Sequence, residues 1–161
     1  MRIVAFLLFV LVFQLNASAV DSVEMKNDAW ILSSSTKNNG VKAYMTSFPV
    51  SSKTSHKQKR NAFIQIVCLE NDGYQVSVEN DFATLGATIV SVNGVDFNFS
   101  QTQNNISFLP KIKIQEFLAE ILTAFELKSL SSSVSGTYAV DTYSLADFNK
   151  TFQVMQKICS N

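Results

Sequence analysis

The chain has 161 residues, with thirteen basic and thirteen acidic side chains, one His and thirteen Phe. A neutral, aromatic-rich, moderately charged chain of this length folds around a core of its own, which excludes a disordered tail. Neutrality also argues against a nucleic-acid partner, which a basic domain would suit.

Met1 and Arg2 precede an unbroken apolar run over residues 3–13, a polar break at Gln14 and Asn16, and then Ala17, Ser18 and Ala19. This order predicts a cleavable signal peptide over 1–19 and a single domain over 20–161. The apolar run is shorter than the ~20 residues of a bilayer span. The best later stretch, 112–127, carries Lys113, Glu116, Glu120 and Glu126, so no transmembrane anchor is expected in the mature chain. Export would put Cys68 and Cys159 in an oxidising compartment, where a pair invites a disulfide. Two buried free thiols are the other reading.

In the mature chain, a strand is predicted over 29–34, a turn at Asn39 and Gly40, and a strand over 41–47 that Pro49 ends. Residues 51–60 are polar and basic, with Lys53, His56, Lys57, Lys59 and Arg60. They read as a loop and as the candidate contact surface for an acidic partner or anionic headgroups. A β-rich run over 63–69 suits a central strand. Beyond the Asp72-Gly73 turn, Tyr74, Val76 and Val78 alternate with polar residues. Asn93 and Gly94 join 87–92 and 95–99 in a hairpin, with Val95, Phe97 and Phe99 on one face.

The period then becomes helical. Ile114, Phe117, Leu118, Ile121, Leu122 and Phe125 make one apolar stripe, predicting a helix over 113–126. Its polar face is acidic, so it is expected to pack on a sheet rather than on anionic lipid. The serine-rich segment 127–134 and the segment 137–143 read as strands. Ser144 and Asp147 have capping-box spacing. They open a second predicted helix over 145–158, with Leu145, Phe148, Phe152 and Met155 on one stripe and Cys159 carried into the core. The expected fold is mainly β: an antiparallel β-sandwich or flattened barrel with two helices near the C-terminus.

No catalytic set assembles from these residues. His56 is the one histidine, and without it no Ser-His-Asp or Cys-His arrangement can be built. One His and two distant Cys make a poor zinc set. Five glycines supply no phosphate-cradling motif. Glu70, Asp72, Glu79 and Asp81 flank Tyr74 and formally offer an acid pair or a calcium site; turn and edge positions explain them more simply. No cofactor and no metal are expected.

The tail carries a resemblance. Asp141, Thr142, Tyr143, Ser144, Leu145, Ala146, Asp147 and Phe148, followed by a helix ending in Cys159, resemble the C-terminal signature of the invasion-associated locus B family of bacterial exported proteins. Trp30, the 42–49 segment, Arg60, Gly73-Tyr74 and the hairpin over 92–97 fall in the family's order. The family's early cysteine would fall at Ala43, and Cys68 on a neighbouring strand is the expected substitute. Asp147 stands where the family has Gly. The resemblance implies an exported Gram-negative protein that is periplasmic, outer-membrane-associated or secreted. It implies no enzyme activity, and in some members a link to host-cell invasion. The expected function is therefore non-enzymatic contact with a protein or cell-surface partner. The alternative is a small-ligand carrier or hydrolase with a pocket between sheet and helix. An interior filled by Phe97, Phe99, Phe117, Phe125, Phe148 and Phe152 would speak against that alternative. A purely structural role in the envelope is the third reading.

Overall fold

The computed structural model describes residues 22–26, 29–34, 40–55, 61–84, 87–103, 105–133 and 135–160. The predicted signal peptide lies outside the described residues, as do His56, Lys57, Lys59 and Arg60 of the basic segment. The strands are β1 (Ser22–Lys26), β2 (Ile31–Ser34), β3 (Val41–Ser47), β4 (Ser51–Thr54), β5 (Phe63–Leu69) and β6 (Gly73–Glu79). They continue with β7 (Thr88–Val92), β8 (Val95–Gln103), β9 (Ile106–Phe108), β10 (Leu127–Ser132) and β11 (Tyr138–Tyr143). All join one antiparallel sheet in the order β1-β2-β3-β5-β6-β9-β8-β7-β10-β11-β4. The fold is mainly β, a curled half-barrel with two helices in the C-terminal half.

A short connection forces the curl. Only residues 48–50 separate β3 from β4, so the facing strand ends lie within about 14 Å of each other. Laid flat, the eight strand spacings between β3 and β4 in that order would measure about 38 Å. The sheet must therefore roll until its far edge returns beside β3. Strand β8 makes the bend. Its first half pairs with β7, from Val92↔Val95 to Thr88↔Phe99. Its second half pairs with β9, with a register shift between Gln101 and Gln103. A strand that changes partner at an irregularity is a usual way to turn a sheet corner.

The alternation expected in β6 and β8 is present only in part: Ser77 is buried along with Val76 and Val78, and Val95 at the start of β8 is exposed although Phe97 and Phe99 are buried. Ile64, Ile66 and Cys68 of β5 are buried, as are Val90 and Val92 of β7 and Phe97 and Phe99 of β8. Helix α1 (Ile114–Thr123) lies against β6 and β7. It inserts Phe117 edge-on to Phe97 and Phe99, at ring-centroid distances of 5.1 and 5.9 Å. Helix α2 (Phe148–Ser160) crosses β2, β3 and β5 and buries Phe148, Phe152 and Met155.

Of the two architectures expected, the single curled sheet answers to the flattened barrel. Three other expectations need correction. Residues 51–54 are not loop but the outermost strand β4, which pairs antiparallel with β11 from Thr142↔Ser51 to Ala139↔Thr54. Helix α1 stops at Thr123 because Ala124 turns extended, at φ −78° and ψ 152°. Phe125 consequently leaves the apolar stripe and stands in solvent. Helix α2 begins at Phe148 rather than 145. The Ser144 hydroxyl accepts from the Ala146 N–H at 3.2 Å, a local turn rather than a capping box.

Cys68 on β5 and Cys159 on α2 are bonded to each other, with Cα atoms 6.2 Å apart and a sequence separation of 91. A crosslink closing so long a loop restricts the unfolded chain strongly, by about 4–5 kcal/mol in the loop-entropy picture. Cys159→Ser should lower the unfolding free energy by that order, read from urea titration without reductant. Wild-type protein should take up alkylating reagent only after reduction; two reactive thiols in unreduced protein would refute the bridge.

Candidate functional site

The tail and the first strands meet at one joint. Strand β11 alternates, so Ala139, Asp141 and Tyr143 are buried while Thr142 is half-buried. The chain then turns, and the Ser144 carbonyl accepts the Trp30 indole N–H at 2.9 Å. Asp147 takes φ 59°, a left-handed conformation that glycine adopts freely and Asp tolerates better than most residues. Its carbonyl accepts the Thr151 N–H at 2.9 Å and the Thr151 hydroxyl at the same distance. Phe148 then meets Trp30 edge-to-face, with centroids 5.0 Å apart. Trp30 is fully buried, so its one polar atom needs a partner, and the turn after β11 supplies it.

The far end of α2 is held three ways. Phe152 stacks on Phe148 at 5.6 Å and tilts against Tyr74 at 5.5 Å. The disulfide ties Cys159 to β5. Lys42 Nζ donates to the Cys159 carbonyl at 3.1 Å, a cation at the negative end of the helix. Burial pushes the Tyr74 phenol above its ordinary pKa, because charging it beside apolar neighbours is unfavourable.

The described part of the contact segment is exposed. Phe48 is 51% and Val50 63% exposed, and Ser51, Ser52 and Lys53 of β4 face solvent. The Val50 N–H donates to the Thr142 carbonyl at 2.8 Å, which fixes the entry into β4. The carboxylates around Tyr74 do not form a cluster. Glu70 and Asp72 sit at one end of β6, and Glu79 and Asp81 at the other, a strand length away. Asp72 pairs with Lys111. Glu79 Oε1 accepts the Asn105 side-chain amide at 3.3 Å. Asp81 accepts the Asn61 N–H at 3.3 Å.

A buried hydroxyl layer escaped the sequence reading. Thr88 Oγ1 lies 3.3 Å from Ser107 Oγ and 3.2 Å from Ser131 Oγ. Ser129 Oγ lies 3.4 Å from the Tyr143 hydroxyl. Thr84, Ser133 and Asp141 are buried with them. The available signal was the alternation in β10, where Leu127, Ser129 and Ser131 occupy the inward positions. Serine at an inward position reads as surface unless a polar interior is anticipated. Between sheet and helices the interior is filled by Phe97, Phe99, Phe117, Phe148 and Phe152, with Phe125 outside it.

No protein-family model, no curated protein and no solved structure matches the chain.

Trp30→Phe should keep the ring contact with Phe148 and lose the bond to Ser144. A cost of roughly 1–3 kcal/mol follows from an unmade buried hydrogen bond, measurable by chemical denaturation. Tyr74→Phe tests the phenol. A folded-state pKa raised above about 10 means stability that is intact below pH 10 and lost as pH rises through the folded value. Wild type should therefore lose stability faster than the Phe variant above pH 10. Parallel alkaline limbs would remove the Tyr74 assignment.

Proposed function

We propose that the chain is an exported, non-enzymatic protein of the bacterial envelope or medium that acts through surface contacts. This is the role implied by its resemblance to invasion-associated locus B proteins. The observation that carries the reading is the position of the crosslink. Cys68 is the direct register partner of Ala43 across β3 and β5, and Ala43 is where the resemblance calls for the early cysteine. The bond to the tail cysteine is thus made from the adjacent strand at the same level of the sheet. Two further points support the reading. Trp30 and the signature residues Ser144 and Phe148 touch one another. Asp147, standing for the family's Gly, has a backbone conformation that favours glycine.

The contact surface in this reading runs from Phe48 and Val50 through Lys53 into the basic segment of His56, Lys57, Lys59 and Arg60. Exposed apolar residues followed in sequence by basic ones suit an acidic protein or cell-surface partner.

Expression with the native leader in a Gram-negative host should yield a protein beginning near Val20, recovered from envelope or medium with its cysteines bonded. Cross-linking there should recover a partner by mass spectrometry. Binding to that partner should weaken for the Lys57→Ser, Lys59→Ser, Arg60→Ser variant, and the loss should be larger at low salt. Unprocessed protein confined to the cytosol would overturn the export reading. Salt-independent, unchanged binding would overturn the contact segment.

A further inference from the structure

The predicted mature chain carries three Asn-x-Ser/Thr triplets, which begin at Asn98, Asn105 and Asn149. In an exported protein such a triplet is an acceptor for an N-linked glycan when it is presented at the surface. The fold uses up two of the three. Asn105 gives its side-chain amide to Glu79 Oε1 and to the Asn80 carbonyl, at 3.3 and 3.2 Å. The hydroxyl of its triplet, on Ser107, is buried against Thr88. Asn149 gives its amide to the Leu122 carbonyl at 3.1 Å. Thr151 is buried, and its hydroxyl donates to the Asp147 carbonyl.

Asn98 differs on each count. From Asp96 onward β8 alternates, so Phe97 and Phe99 are buried while Asp96, Asn98 and Ser100 are exposed on the outer face. Period two thus sets a carboxylate, the amide and the hydroxyl in one row. Bacterial acceptor sites carry an acidic residue two places before the Asn, and Asp96 holds that position. Asp147 stands likewise before Asn149, so sequence does not choose between the two triplets; the burial of Thr151 does. The strand also changes partner inside the Asn98 triplet. Phe99 ends the pairing with β7, and Ser100 begins the pairing with β9. Among the described residues no strand pairs with the other edge of 95–99. A corner with one open edge can be lifted toward an enzyme more readily than the middle of a ladder. The hairpin tip before it is tied elsewhere, since Asn93 Oδ1 accepts the N–H groups of Phe125 and Glu126 at 3.1 and 3.2 Å.

We propose that Asn98 is an N-glycosylation site. The donor is an oligosaccharide joined through diphosphate to a polyprenyl lipid, and the catalyst is a bacterial oligosaccharyltransferase. A bond forms between Asn98 Nδ2 and the anomeric carbon of the sugar. The bond from that carbon to the diphosphate oxygen breaks, the lipid diphosphate leaves with the electron pair, and one amide proton passes to a base of the enzyme. The proposal rests on the export reading, because enzyme and donor meet exported chains. A glycan here also has a physical use. Asn98 is the register partner of Ile89, and Ile89 of Leu130, which is 41% exposed. A hydrophilic chain on Asn98 stands beside this apolar row and the open edge of β8, the two features that invite edge pairing and aggregation.

The test is intact-mass and peptide-level mass spectrometry of the full chain, expressed in a Gram-negative host supplied with a bacterial oligosaccharyltransferase and its lipid-linked oligosaccharide. The chain is made in two versions, one with its native leader and one with residues 20–161 behind the host's own export leader. Both should gain the mass of one glycan, on the peptide that contains Asn98. Asn98→Gln and Ser100→Ala should each abolish the gain and leave the thermal midpoint unchanged, because both side chains are exposed. Asn149→Gln should keep it. Exported, cysteine-bonded protein without a glycan from the host-leader version overturns the site. So does a glycan found on Asn105 or Asn149 in place of Asn98. A glycan gained behind the host leader but not behind the native one supports the acceptor site and overturns the export reading instead.

Discussion

Everything in this fold is subordinate to the three residues that carry the chain from β3 to β4. Phe48, Pro49 and Val50 cannot span more than a fraction of an unrolled sheet. Pairing of β4 with β11 is therefore compatible with β3 only when the sheet is rolled. Rolling has two consequences. It gives each strand an inside and an outside, so the period-2 patterns of β5, β7, β8 and β11 all point their buried sets at one interior. It also leaves the connector itself outside, stretched over the seam. That is why two apolar residues there are exposed, although Phe48 still touches Phe63 edge-on at 5.9 Å.

The interior so enclosed is not uniform. The helices can cover only part of a curled sheet, and that part is aromatic: Trp30, Phe97, Phe99, Phe117, Phe148 and Phe152. Hydroxyls take the remaining inward positions on β7, β9 and β10, and they bond to one another. A threonine that reaches two serines satisfies a polar group without water, which is the condition for burying it cheaply. The layer is not fully satisfied: among the described residues, Ser47 Oγ and Thr84 Oγ1 are buried without a hydrogen-bond partner. Each costs about 1–3 kcal/mol relative to a bonded hydroxyl. Ser47 lies at the end of β3, immediately before the connector.

Much of this was legible in the sequence where burial and period agree. The bounds of β3 and β5 follow directly from alternating or continuous apolar runs, and the Asn-Gly hairpin follows from turn chemistry. What was not legible depends on partners distant in the chain. Ser51, Ser52, Lys53 and Thr54 have no strand-like composition. They are extended because the β11 backbone faces them, and composition carries no trace of that. Phe125 continues a perfect helical stripe by spacing, but the Asn93 side chain captures the next two amides and the helix ends. The disulfide could be proposed from an even cysteine count, but not located, since only the Ala43↔Cys68 register brings β5 under the last turn of α2. The tail residues are contiguous in sequence, but their contact with Trp30, over a hundred positions earlier, rests on a bond from its indole N–H to the Ser144 carbonyl that no local pattern foretells.

These constraints bear on how such a molecule could bind anything. Helix α2 is fixed at its start by Trp30 and at its end by a covalent bond and Lys42, so it cannot swing away from the sheet. The Phe48–Val50 seam is tied to β11 through Val50, and Phe125 is tied to the β7–β8 hairpin through Asn93. Both exposed apolar features are thus presented by backbone already ordered in the free protein. Ordering a loop is a large part of what association costs. A small protein with modest exposed area gains most by having met that cost during its own folding. The same rigidity sets a limit: binding at either feature should leave α2 on the sheet, since it cannot yield without exposing the Trp30–Phe148 contact or breaking the Cys68–Cys159 bond.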